Sequence, residues 1–147
     1  NTNILGTATS LKYGLESMQK HSINGHVIIM NSVAGHMIIP LPGFCAYSAS
    51  KHAVKVLTES LRNELSFANS KIRVTSISPG LVETEMVEQF KEHIVSETPI
   101  LRANDVADCV VFALSAPHHV TVSELIVQPI GEFMTKSIAA YMNSLGV

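Results

Sequence analysis

The sequence predicts an α/β fold, an incomplete doubly wound parallel sheet of about three strands with flanking helices. Three observations lead there. Apolar residues recur at helical spacing and in short β-branched runs, in the order helix, strand, helix, strand, helix, strand. The stretches between successive strand-like runs exceed a dozen residues, as crossovers between parallel strands must. The 147 residues fit one domain, and 46% apolar against 15% charged residues excludes a disordered chain.

Each element can be justified in turn. From Asn3 to Lys20, Ile4, Leu5, Ala8, Leu11, Leu15 and Met18 recur mostly at three- and four-residue steps, the mark of an amphipathic helix, although Gly6 and Gly14 weaken its propensity. Ser22 to Gly25 reads as a turn. His26 to Asn31 is a short buried strand, too brief and too β-branched for a helix. Residues 32–46 hold Gly35, Pro40, Pro42 and Gly43 and form a long loop of the kind that commonly carries function. A helix from Tyr47 to about Phe67 follows, with Val54, Leu57, Leu61 and Leu65 as its apolar stripe, Ala49, Ala53 and Val56 beside it, and Lys55, Glu59, Arg62 and Asn63 on its polar side. Ile72 to Ile77 is a strand that Pro79-Gly80 breaks. Residues 85–96 are weakly helical and polar. Asn104-Asp105 start a helix that runs to about Leu114 and stops at Pro117, and Val120 to Val127 is the third strand. Residues 132–147 form a tail, with a short terminal helix expected around Phe133, Ile138, Tyr141 and Leu145.

Charge and cysteine usage narrow the function. Ten basic and twelve acidic residues give a net charge of −2 with no run of one sign, so neither a nucleic-acid groove nor a polybasic membrane anchor has support. No apolar stretch approaches the roughly 18 residues of a membrane span. Cys45 and Cys109 lie far apart, as for two reduced thiols in a reducing compartment, with the cytoplasm as the default location. No metal site is expected; the adjacent His118-His119 pair would need further ligands.

Two residues suggest chemistry. Tyr47 and Lys51 are four apart at the start of the strongest helix, so both side chains lie on one face. An ammonium about 5 Å from a phenol favours the phenolate by about 3 kcal/mol at an effective dielectric near 20, which brings such a phenol toward general acid–base work near neutral pH. Ser32 ends a buried strand, Ser78-Pro79-Gly80 ends the next, and Thr84 follows. Open α/β sheets carry ligand sites at that carboxyl edge.

In this order, Asn31-Ser32-Val33-Ala34-Gly35, Tyr47-Ser48-Ala49-Ser50-Lys51 and Ser78-Pro79-Gly80-Leu81-Val82-Glu83-Thr84 resemble the second half of a short-chain dehydrogenase/reductase. Gly25 to Ile28, Ser32 to His36 and Ile77 to Thr84 are similar to the subgroup of member 11 dehydrogenase/reductases and insect farnesol-dehydrogenase-like enzymes. The resemblance spans residues 1–131 and implies the carboxyl-terminal half of a Rossmann-like domain. It also implies an NAD(P)-dependent oxidoreductase that interconverts an alcohol and a carbonyl on a small apolar substrate such as an isoprenoid or steroid. NADP is the implied cofactor, with NAD open, and the whole protein is implied to be a homodimer or homotetramer.

Carried over residue by residue, Tyr47 transfers the proton and Ser32 hydrogen-bonds the same substrate oxygen. Lys51 assists Tyr47 and holds the nicotinamide ribose, while Asn3 fixes a relay water. Tyr47, Lys51, Pro79, Gly80, Leu81, Val82 and Thr84 contact the cofactor. His36, Phe44 and Cys45 are placed either at the substrate pocket or in plain packing, and residues 85–96 correspond to a substrate lid. No glycine-rich dinucleotide motif occurs, and the chain opens at Asn1 without methionine. The expectation is a piece of a longer domain, and the alternative reading is a non-catalytic remnant that acts at most as a dimerisation partner.

Overall fold

The computed structural model describes residues 2–39, 43–88 and 98–131. Strands β1 (His26–Met30), β2 (Arg73–Pro79) and β3 (Glu124–Val127) form one parallel sheet in the order β1-β2-β3. The register sets Val27 against Val74 and Met30 against Ile77, then Ile77 against Leu125 and Pro79 against Val127. The helices are α1 (Thr7–Lys20), preceded by a π-helical turn at Thr2–Gly6, α2 (Cys45–Phe67), the short α3 (Glu85–Glu88) and α4 (Ala103–Ser115).

Strand side chains alternate between faces, and each face has its own apolar cover. On one, Ile29 and Val74 pack with Val54, Leu61 and Leu65 of α2, and Leu11 and Leu15 of α1 lie against them. On the other, Ile77 packs with Leu101 and Val106, backed by Cys109 and Val110 of α4 and by Ile28 and Val127. Helices on both faces of a parallel sheet make the predicted α/β, doubly wound arrangement. Among the described residues β1 pairs with β2 alone, and Met30 at its end stays 48% exposed.

Several boundaries differ from the sequence-based expectation, each for a local reason. Helix α2 begins at Cys45, two residues before Tyr47; the Ser48 N–H reaches the Phe44 carbonyl at 2.9 Å, so Tyr47 sits inside the first turn. Thr58 rather than Leu57 is fully buried on α2, because its hydroxyl donates to the Val54 carbonyl at 2.8 Å and is thereby satisfied. Val56, placed beside the stripe, is exposed. Strand β2 continues through Pro79 instead of breaking there. Strand β3 starts only at Glu124, since carbonyls just upstream are held by side chains of β2: Thr75 donates to Val122 at 2.6 Å and Arg73 to Val120 at 3.5 Å. Of the two expected acceptors, Asn104 and Asp105, Asp105 closes the start of α4; its carboxylate accepts from the Arg102 backbone N–H at 2.8 Å and from the guanidinium at 2.9 Å. That pairing holds the Asp105 carboxyl below, and the Arg102 guanidinium above, its ordinary pKa.

Pro40, Pro42, most of the 85–96 segment and the tail 132–147 lie outside the described residues, as does Asn1. Among those described, no helix is long and apolar enough to cross a membrane.

Candidate active site

The carboxyl edge of the sheet gathers most of the residues singled out in the sequence. Lys51, one turn into α2 from Tyr47, places Nζ 3.1 Å from the Met30 carbonyl and 3.2 Å from the Asn31 carbonyl. Pro79 accounts for the second contact. In this register the Asn31 N–H reaches the Ile77 carbonyl at 2.7 Å. The next donor in a parallel ladder would be the N–H of residue 79. Proline has none, so the Asn31 carbonyl accepts the lysine instead. Burial lowers the Lys51 pKa from its ordinary value.

Ser32 follows directly. It is buried, and its Oγ accepts from the Ala34 N–H at 3.1 Å, capping a 3₁₀ turn at Val33–Gly35. A hydroxyl that accepts in this way keeps its own proton to donate. The turn packs tightly on α2: a Cβ at Gly35 would lie 2.6 Å from Asn31 Nδ2 and 2.9 Å from the Lys51 carbonyl oxygen. Only glycine fits that approach. Asn31 itself is 5% exposed, and both polar atoms of its side chain are buried without a partner.

Tyr47 is half-buried. Its ring meets Phe44 edge-on at 6.0 Å, and the Lys51 Nζ lies 5.8 Å from its centroid. Asn3, in the π-helical turn, donates from Nδ2 to Ser50 Oγ at 2.9 Å, and Ser50 donates to the Tyr47 carbonyl at 2.7 Å. Asn3 is thus linked through Ser50 to the first turn of α2.

The segment after β2 is fastened by its backbone. The Gly80 N–H reaches the Val127 carbonyl at 2.7 Å, and Leu81 and Glu83 bracket Leu101 at 2.9 and 2.8 Å. Thr84 donates its hydroxyl to the Val82 carbonyl at 3.2 Å, so it meets a ligand as an acceptor unless that bond opens.

One group was not anticipated as a unit. His36, at the end of the Ser32 turn, contacts Ser78, Glu124 and Lys55 through its ring nitrogens. Neither role weighed for it, substrate pocket or plain packing, anticipates this polar group. Cys45 is exposed and free. At the opposite edge of the sheet an open cleft of about 710 Å³ is lined by Asn24, Lys71, Arg73, His118 and His119, remote from these residues. Among the described residues no three metal-ligating side chains converge.

The family model described as short chain dehydrogenase matches residues 1–94. Farnesol dehydrogenase of Aedes aegypti is 41% identical over 132 residues, covering 90% of this chain and 53% of its own length. Human dehydrogenase/reductase SDR family member 11 is 37% identical over 139 residues, with 88% and 53% covered. Among solved structures, a short chain dehydrogenase from Burkholderia cenocepacia in complex with NADP superposes with a TM-score of 0.71 at 25% identity, over 98% of this chain and 54% of that one. A 4-hydroxyisoleucine dehydrogenase mutant complexed with NADH and succinate gives 0.72 at 27%, over 86% and 55%. The chain spans about half the length of the curated relatives it matches. With the family model matched over well over half of the chain, and a serine turn, a tyrosine–lysine helix and a Pro-Gly strand end meeting at one edge of a doubly wound sheet, this chain belongs to the short chain dehydrogenase family.

Proposed function

We propose that the carboxyl edge interconverts an alcohol and a carbonyl in a nicotinamide-dependent oxidoreductase. The observation that carries this reading is the seat of Lys51. An ammonium has three N–H donors, and the carbonyls of Met30 and Asn31 engage two of them. The third is suited to a ribose hydroxyl beside Tyr47, so the residues present fit a nicotinamide riboside. Tyr47, Lys51, the backbone of Pro79, Gly80, Leu81 and Val82, and the Thr84 hydroxyl would hold it. When bound, the dinucleotide supplies or accepts the hydride.

The chain's own residues handle the oxygen. Tyr47 gives its phenolic proton to the carbonyl oxygen in reduction and takes it back from the alcohol in oxidation. Ser32 donates its remaining O–H to the same oxygen as negative charge develops there. Lys51 keeps positive charge one turn from Tyr47. Asn3, whose Nδ2 is engaged by Ser50, retains Oδ1 to hold a water that exchanges the proton with solvent.

An apolar substrate is supported by Phe44 against the Tyr47 ring and by exposed Met37 and Ile38 in the preceding loop, and by the name of the mosquito relative. We take NADP as the cofactor and a homodimer or homotetramer as the assembly, in a reducing, cytoplasmic setting consistent with two free thiols. Titration of the purified chain with NADPH, then with NADH, followed by nicotinamide fluorescence, tests this. Saturable binding that Lys51→Ala weakens is expected. No saturable binding would overturn catalysis by this chain alone and favour the reading in which it serves only as a partner for other subunits.

A further inference from the structure

We propose that His36 is a positioning residue for this site, clamping the Ser32 turn to the helix of Tyr47 and Lys51 and to the sheet. The inference rests on the function proposed above and adds a residue to it. Four elements meet at the imidazole. Lys55 Nζ of α2 lies 3.1 Å from Nδ1. Glu124 Oε1 of β3 lies 2.9 Å from Nε2, and Ser78 Oγ of β2 lies 3.1 Å from the same nitrogen. Ser78 also donates to Glu124 at 3.4 Å. Ser78 is fully buried, and the side chains of His36 and Glu124 are 17% and 27% exposed.

Donor counting fixes the tautomer. A lysine ammonium has donors only, so Nδ1 must accept and carry no proton. A carboxylate accepts only, so Nε2 must carry the proton. The neutral Nε2–H imidazole satisfies every partner. Protonation at Nδ1 would remove the acceptor and set a cation against the Lys55 ammonium. The group is no hydrolytic triad: Ser78 and Glu124 meet the same ring nitrogen, and Ser78 is sealed from any substrate.

The clamp reaches the site through short, bonded paths. The Gly35 N–H reaches the Ser32 carbonyl and the His36 N–H the Val33 carbonyl, both at 2.9 Å, so His36 and Ser32 are ends of one hydrogen-bonded turn. Lys55 is one helical turn beyond Lys51 and two beyond Tyr47. Fixing His36 between Lys55 and Glu124 therefore fixes the Ser32 hydroxyl relative to both. A misplacement near 1 Å at a reacting group costs about 100-fold in rate.

The test compares His36→Ala, His36→Gln and Tyr47→Phe in the full chain. Glutamine keeps one donor and one acceptor. His36→Ala is expected to lower kcat about 10- to 100-fold with little change in KM for NADPH, and His36→Gln to restore most of it. Unchanged kcat in His36→Ala, or a His36→Gln variant as slow as His36→Ala, overturns the positioning role. Tyr47→Phe separates the failures: if it turns over normally, the proton-transfer reading itself is wrong. Imidazole ¹⁵N shifts test the clamp without any turnover. A neutral Nε2–H ring at pH 7.5 is expected, and an Nδ1–H ring or an imidazolium contradicts it.

Discussion

The two edges of the sheet use polar side chains differently. At the amino edge they end mainly on the backbone of the segment leading into β3. Arg73 donates to the Ala116 carbonyl at 2.9 Å, Thr75 to Val122 at 2.6 Å, and Arg62 to the carbonyls of Val74, at 3.2 Å, and Ser123. At the carboxyl edge His36, Ser78 and Glu124 bond to one another, Lys55 joins at Nδ1, and Asn31 has no partner for its side chain. Lys51 is the exception there that donates to backbone, at Met30 and Asn31. A bond onto a strand's backbone staples the fold. The carboxyl-edge side chains instead set where the Ser32 turn and the helix of Tyr47 and Lys51 stand relative to one another. Substitutions at the amino edge should therefore read out as stability, and those at the carboxyl edge as turnover.

The largest separation is expected from Lys51→Ala. Turnover should drop by about 100-fold or more, while losing the bonds to the Met30 and Asn31 carbonyls costs about 1 kcal/mol each, read from the urea midpoint. A large shift in the midpoint with normal turnover would erase the distinction between the edges. Gly35→Ala should affect both readouts. Its Cβ would press on Asn31 Nδ2 and on the Lys51 carbonyl, and overpacking of this kind costs about 1–3 kcal/mol. Wild-type stability and turnover in that variant would show that the Ser32 turn does not bear on α2.

Arg73→Ala should cost about 1 kcal/mol by urea denaturation, with KM for NADPH unchanged. A change in KM instead would place cofactor contacts at the wrong edge. The smallest effect concerns His26, whose Nε2 lies 2.7 Å from Thr75 Oγ1. Burial, then the charge of Arg73, lowers its pKa from the ordinary value of 6.5. The unfolded chain then binds the proton more readily than the folded one, so the contribution to stability is complete above pH 6.5 and is lost as pH falls through that value. Thermal melts between pH 7.5 and 5.5 should show a smaller decline in His26→Gln than in the parent. Equal declines would remove His26 from the linkage.

The sequence was most informative where a feature depends on near neighbours. The period of Leu61 and Leu65, the β-branching of His26 to Met30 and the four-residue step from Tyr47 to Lys51 are local properties, and each became the expected element. Boundaries went astray where a tertiary partner intervened. Pro79 stays in β2 because the Lys51 ammonium stands in for the donor it lacks toward Asn31, while pairing with β3 runs on to Val127. The start of β3 waits until Arg73 and Thr75 release its carbonyls. Within the candidate site, the position of Ser32, Tyr47 and Lys51 at the carboxyl edge was legible from motif and spacing. Asn31 was not, because an orphaned carboxamide has no sequence signature. The His36 clamp joins residues up to 88 positions apart, and the only local hints were a second lysine four residues after Lys51 and a hydroxyl, Ser78, in a buried strand.

The assignment of proton transfer to the carboxyl edge is tested most directly by Tyr47→Phe. Single-turnover absorbance at saturating NADPH reads the chemical step, and fluorescence titration reads cofactor affinity on the same sample. The expected result is a loss of about 10²- to 10⁴-fold in the chemical step with cofactor affinity held within about twofold. A chemical step as fast as the parent's would contradict the role given to Tyr47.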